Sequence, residues 1–280
     1  MIKDILVHIP TELPMRSVID GSVSLAKDFG AHLDAVAIGY ISASAAYVVD
    51  GGAAAAVASV FEMEQERAAE RAGAALAVFE SEARNAGISY ATRSIADMPN
   101  EAAISICAAA RLYDLAVVSQ PESERQTFDN TISTEILFQA GGPILFIPHI
   151  FRGEFKARRI GICWDGSRLA ARALRHARPL LAQADTLFAI SINSAESAPA
   201  DASAGKLADH LARVGLRIRI IDLPAASSDI QPSILSVAAD EGLDMLVMGA
   251  YGHSKLREGI LGGVTRAMLR TMTVPTLMSH

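Results

Sequence analysis

The chain contains a second version of itself, and this narrows its fold more than any other feature does. The first half opens with Asp4-Ile-Leu-Val-His-Ile-Pro10 and the second with Arg159-Ile-Gly-Ile-Cys-Trp-Asp165, so Ile5 corresponds to Ile160 at an offset of 155. Further on, Leu112-Tyr-Asp-Leu-Ala-Val-Val-Ser119 matches Gly242-Leu-Asp-Met-Leu-Val-Met-Gly249, with Asp114 on Asp244 at an offset of 130. The ends agree as well: Gly142-Pro-Ile-Leu-Phe-Ile-Pro-His149 lies on Val274-Pro-Thr-Leu-Met-Ser-His280, with Pro143 on Pro275. The fall in offset places about 25 extra residues in the first copy, within the alanine-rich segment 43–86. Two long copies are the duplication of a whole unit, whereas a solenoid needs more and shorter repeats. The expected units are residues 1–149 and 158–280, each of ordinary domain size, joined by a short stretch that turns polar toward Arg158.

In the second copy, residues 159–164, 186–192, 216–221, 245–248 and 275–278 read as strands. Helical spacing of Ala and Leu covers 167–183, 205–214, 234–241 and 265–271, with Ser167 as N-cap of the first and Gly242 closing the third. Short, almost wholly apolar strands alternating with helices indicate a parallel sheet covered on both faces. The fold class expected is therefore α/β, as two tandem copies of a five-stranded parallel sheet sandwiched by helices. The fifth strands, 143–148 and 275–278, are edges by their order in the chain, and exposed edges must be covered.

Composition removes several function classes. Hydrophobic residues are 51% and charged residues 20%, enough apolar mass for a packed core. A net charge of −6 with no run of like charge argues against a nucleic-acid or anionic-membrane surface. The longest uncharged stretches, 35–49 and 136–151, are shorter than the ~18 apolar residues of a spanning helix. Cys107 and Cys163 lie far apart with no metal-ligand or disulfide spacing, and the opening residues carry Asp4 and Glu12 in place of a secretory apolar core. The expectation is a cytoplasmic protein.

In an open parallel sheet, ligands bind beyond the carboxyl ends of the strands, at the point where the connections reverse direction. In this sequence small residues mark that edge after the fourth strand of the second copy, in the run from Met248 to Thr265. Gly249 leaves the strand, Gly252 follows, and Gly262, Gly263 and Val264 lead into a helix expected to start near Thr265. Glycine lets backbone N–H groups approach a phosphate, and the free N–H groups of a helix start attract anions. The same glycines could equally serve turns and close packing. Neither GxxxxGK[ST] nor a GxGxxG after the first strand is present.

The spacing of Gly249, Gly252 and Gly262, G-x2-G-x9-G, together with Trp164-Asp-Gly-Ser167 after the first strand, resembles the universal stress protein family in its tandem form. The resemblance covers essentially both halves. It implies a Rossmann-like fold of the adenine-nucleotide α-hydrolase type, and two halves packed edge to edge about an internal pseudo-twofold axis. It also implies that Cys163, Trp164 and Asp165 border the adenine and ribose of ATP or ADP, while Met248, Gly249, Gly252, Gly262, Gly263, Val264 and Thr265 line the phosphate side. His253, Lys255 and Arg257 lie on the phosphate loop, where they would neutralise charge or simply be solvated. Mg²⁺ could accompany the nucleotide, with Asp165 as the carboxylate at hand.

The family's Ser or Thr after the third glycine is Gly263 here, which removes a hydroxyl and keeps a backbone N–H. Thr265 either supplies that hydroxyl or caps the helix; Asp165 either meets the ribose or caps the helix after it. The first copy departs further. Its loop from Ser119 to Thr134 has no glycine and carries Glu122, Glu124 and Asp129, and Pro10 stands where Asp165 does. Nucleotide is therefore expected in the second copy only. Gly51 to Ser59 is expected to be a mobile segment or helix start over a pocket mouth. His8, His149 and His280 end strands, where packing or solvent is the plain reading, and Cys163 is a small buried residue before it is a redox sensor. No GxSxG, HExxH, triad or paired-carboxylate spacing occurs, so at most slow hydrolysis is expected. Two functions stay open: a stress-response protein that binds an adenine nucleotide and signals to a protein partner, or a nucleotide-free interaction protein with a vestigial pocket. A homodimer of the whole chain is left open too.

Overall fold

The computed structural model describes residues 1–41, 54–122, 124–194, 198–252 and 263–280, with backbone alone for 54–57. The first half runs β1 (Asp4–Ile9), α1 (Arg16–Phe29), β2 (His32–Tyr40), α2 (Ala54–Ala86), β3 (Tyr90–Asp97), α3 (Pro99–Ala110), β4 (Leu115–Ser119), α4 (Phe128–Gln139) and β5 (Ile144–Ile147). The second half runs β6 (Arg159–Cys163), α5 (Arg168–Leu181), β7 (Thr186–Ile192), α6 (Ala204–Ala212), β8 (Ile218–Leu223), α7 (Ile230–Asp240), β9 (Met245–Gly249), α8 (Gly263–Thr271) and β10 (Thr276–Ser279). A short 3₁₀ turn, Ala200–Ala202, precedes α6.

All ten strands form one sheet in the order β3-β2-β1-β4-β5-β10-β9-β6-β7-β8. Pairing is parallel within each half and antiparallel where β5 meets β10. At that seam Leu145 faces Leu277, with Phe146 on Thr276 and Ile144 on Met278. Leu145 and Leu277 are counterparts in the repeat, so the pseudo-twofold axis passes through their pairing. The two strands that end each half in sequence are therefore the middle of the assembled sheet, and β3 and β8 are its outer edges.

The repeated aspartates explain why the repeat is legible there. Asp114 accepts the N–H groups of Lys3 and Asp4 at 2.7 and 3.2 Å, and Asp244 accepts those of Arg158 and Arg159 at 3.0 Å each. Each carboxylate thus ties the start of one central strand to its neighbour, satisfying N–H groups that precede the ladder. Two apolar layers cover the sheet, one under α1, α2, α5 and α6, the other under α3, α4, α7 and α8, and both run across the seam.

The extra residues of the first half form α2, 33 residues long in its described extent. Its alanines are a packing requirement: Ala68, Ala72, Ala75 and Ala83 are buried, and a Cβ on Gly39 of β2 would stand 1.8 Å from the Ala68 carbonyl oxygen. The part of the expected mobile cover from 51 to 53 lies outside the described residues. From Ala54 on the segment is helix, and α2 packs on β2, β3 and α1 of its own half.

Among the boundaries that differ from the sequence reading are three in the second half. Helix α7 starts at Ile230, four residues early, because Pro232 falls in the first turn, where its missing N–H costs nothing. Strand β8 is Ile218–Leu223, with an irregular burial pattern that fits an outer edge. Helix α8 already includes Gly263 in its described extent, ahead of the start expected near Thr265.

Candidate functional site

The second half reverses its connections between β6 and β9, and a cavity of about 250 Å³ lies there, beyond the carboxyl ends of β6, β7 and β9. Cys163, Trp164 and Asp165 line it from the end of β6, and Met248, Gly249 and Gly252 from the end of β9. Gly263, Val264 and Thr265 close it with the first turn of α8. The structure therefore brings together nine of the residues picked from the sequence. His253 and Gly262, with Lys255 and Arg257, lie outside the described residues.

One side of the cavity is greasy. Leu169, Ile190, Ile192, Ile230 and Ile234 add to Trp164 and Met248 there, and no motif marks them, since an isoleucine at a strand end looks like any core residue. Trp164 is held rigidly: its N–H groups donate to Ile190 O at 2.8 Å and, from Nε1, to Ala202 O at 2.7 Å, and its carbonyl accepts from Ser191 Oγ at 2.9 Å. A flat, dry slot of this kind takes an aromatic or heteroaromatic ring. Asp165 is the charged residue among the described lining; it is exposed, and its Oδ1 accepts the Ser167 N–H at 2.9 Å. Ser167 in turn caps α5, accepting Ala170 N–H at 3.1 Å. The local turn and the cap are thus shared between the two residues.

The opposite side is a surface of backbone. In its described extent α8 runs from Gly263, and Gly263, Val264 and Thr265, all of which line the cavity, form its first described turn. An added Cβ at Gly263 would meet nothing within 4 Å, and at Gly252 only Leu169 Cδ1 at 3.6 Å. Gly249 is different. A Cβ there would stand 2.7 Å from Ala170 N and Leu169 C, so this glycine lets β9 approach the start of α5, which is a packing role. Thr265 does not cap α8 as one sequence reading had it; its Oγ1 accepts the Tyr251 N–H at 3.1 Å and so ties the loop after β9 to the helix. Burial, then the charge of Asp165, pushes the Cys163 thiol up to about 12, so it is a wall residue that stays protonated at neutral pH.

The matching place in the first half is filled by side chains. Asp129, in the first turn of α4, is 1% exposed and accepts the Tyr40 hydroxyl and the Glu12 N–H, both at 2.8 Å. Glu12 accepts the Phe128 N–H at 2.6 Å. His8, the counterpart of Cys163, is buried with Nε2 3.6 Å from Asp129 Oδ1, too far for a hydrogen bond. Of the three loop carboxylates, Asp129 alone points in; Glu122 lies beside His149 and Arg125 at 3.7 and 3.5 Å. Glu12 was not picked out from the sequence, since nothing in its neighbourhood shows that it reaches a helix 116 residues away. Among the described residues no cluster of His, Cys, Asp and Glu could hold a metal ion, and no helix is long and apolar enough to cross a membrane.

Residues 156–280 match the model of the Universal stress protein family. The second half belongs to that family. Among curated proteins, the chain is 26% identical to the universal stress protein Slr1230 of Synechocystis over 137 residues, 48% of this chain and 46% of that one. It is 38% identical to the universal stress protein MJ0577 of Methanocaldococcus jannaschii over 45 residues, 16% and 28% of the two chains. The chain therefore aligns with less than half the length of either relative. The crystal structure of a universal stress protein from Archaeoglobus fulgidus superposes with a TM-score of 0.72 at 16% identity, covering 98% of this chain and 95% of that one. That breadth extends the likeness of fold to the first half.

Proposed function

We propose that the second half binds an adenine nucleotide, ATP or ADP, and that the protein is a cytoplasmic stress-response protein that signals its bound state to a protein partner. One observation carries this reading: an apolar wall around Trp164, the carboxylate of Asp165 and the described start of α8 all line the same 250 Å³ cavity. Ring, ribose hydroxyls and phosphates need those three environments in that order. Residues 1–149 and 158–280 serve as the two units, and only the later one takes nucleotide, because resident carboxylates already neutralise the positive end of α4. Mg²⁺ would reach the phosphates from solvent beside Asp165. Hydrolysis is at most slow in this reading.

Gly263 in place of a hydroxyl residue, and a Thr265 oxygen already engaged by Tyr251, favour the second reading, an interaction protein that has kept an empty cup. Mass spectrometry of what the purified protein releases on denaturation, with calorimetric titration of ATP, separates the two. ATP or ADP at one per chain supports the first reading. No release together with no heat at millimolar ATP leaves the second. A Gly252→Val variant sharpens the assignment, since the first atom added there has room: retention should fall at least tenfold with the fold intact, and a variant that keeps its nucleotide overturns the placement of the phosphates.

A further inference from the structure

Tyr251 sits in the left-handed region, with φ +56°, immediately before Gly252. A bulky residue rarely stays there unless its surroundings hold it. The holding group comes from the other half of the chain. The Tyr251 ring lies on that of Phe138 near the end of α4, with centroids 4.9 Å apart and planes tilted by 41°. Phe138 also meets His280 edge-on at 4.9 Å, and His280 Nδ1 lies 3.1 Å from the carbonyl of Ala250, the residue before Tyr251. The same reach occurs once more across the seam in mirror fashion: Gln120, after β4, donates from Nε2 to Leu269 O of α8 at 3.0 Å. Each loop after a fourth strand thus touches the last helix of the opposite half, but only the second-half loop does so next to a cavity. At the position matching Tyr251 the first half has Pro121, which has no ring to stack in this way and cannot adopt a left-handed φ.

We propose that Tyr251 is a positioning residue of the second-half site, and that Phe138 of the first half holds it, so that affinity for a phosphate-bearing ligand depends on the half that binds none. The geometry gives the route. The Tyr251 N–H ties to Thr265 near the described start of α8, and its carbonyl carbon carries the Gly252 N–H, so a rotation of Tyr251 turns both of these lining elements at once. The ring is the lever and Phe138 its stop.

This inference rests on the proposed nucleotide site, and the test keeps the two apart. ATP is titrated into the full chain, followed by the fluorescence of Trp164, the one tryptophan of the sequence, which lines the cavity. Hydrogen exchange of the peptide containing residues 250–252 is measured without ligand. Phe138→Ala should weaken ATP about tenfold and speed that exchange to a similar degree, while Phe138→Tyr keeps both near the wild type. Tyr251→Gly, which relieves the backbone and removes the ring, should also weaken ATP although the protein is no less stable. A wild type that binds ATP, with Phe138→Ala equal to it in affinity and exchange, overturns the proposal alone. A wild type that binds no ATP overturns it together with the reading of the site, whatever the exchange shows.

Discussion

At the carboxyl end of β1 the chain fills its cup with its own side chains; at the carboxyl end of β6 it leaves the cup open. The backbone around the two is the same: five parallel strands in the order 3-2-1-4-5, a reversal between the first and fourth, and a helix start facing the gap. Few residues make the difference. His8 replaces Cys163, Pro10 replaces Asp165, and Asp129 brings a carboxylate to the first turn of α4, whereas the first described residue of α8 is a bare glycine. A fold of this type supplies a slot and a dipole in both places, and the side chains decide whether the anion is resident or visiting.

The sharpest way to break this comparison is at Gly249. Alanine there should cost about 3 kcal/mol in urea unfolding, since the new atom meets backbone that can yield only by shifting α5. A Gly249→Ala protein as stable as the wild type would mean that the glycine serves the cavity and not the packing. Next in size is Asp129→Ala, expected to cost about 2 kcal/mol by stranding the Tyr40 hydroxyl and the Glu12 N–H, while leaving ATP affinity in the other half unchanged. Gain of a second ATP per chain in that variant would show that the resident carboxylate alone closes the first cup.

The smallest effect is on pH dependence. Burial holds His8 below its ordinary value of 6.5, and the nearby Asp129 offsets this only in part. Below pH 6.5 the unfolded chain therefore takes up a proton that the folded chain refuses, and stability should fall as pH drops, by at most about 1.4 kcal/mol per unit for this group. His149 and His176, also lowered by burial, act in the same direction. Glu12, raised by burial, acts in the opposite sense at lower pH, so the informative window is 6.5 to 5.5. The charged group against His8 is Asp129 of α4, which itself accepts the Tyr40 hydroxyl of β2 and the Glu12 N–H of the loop after β1. A His8→Gln variant should flatten the slope of the unfolding midpoint in that window; an unchanged slope would assign it to the other two histidines.

Much of this was legible in the sequence, for identifiable reasons. The repeat is visible wherever both copies need the same thing: an apolar central strand, or an aspartate that ties down the strand start, as Asp114 and Asp244 do. That the fifth strands needed cover followed from the rule for edges, and their pairing with each other from the family resemblance. Residues of the cavity that carry a backbone signature, such as Gly252 and Gly263, stood out, whereas Ile190, Ile192 and Ile230 did not, because an apolar slot and an apolar core are built of the same side chains. Gly263 was read as loop, since a glycine argues for one, whereas it lies within α8. Contacts that join distant segments, Glu12 to α4 and Phe138 to Tyr251, leave no mark on local pattern at all.

The seam at Leu145 and Leu277 has a further consequence. In an assembly of separate subunits, dilution would part the mates and every surface would have to work on both. Here the tether makes the association concentration-independent, so the ratio of filled to open cups is set by the reading frame, and each half can accumulate substitutions that its mate could never share.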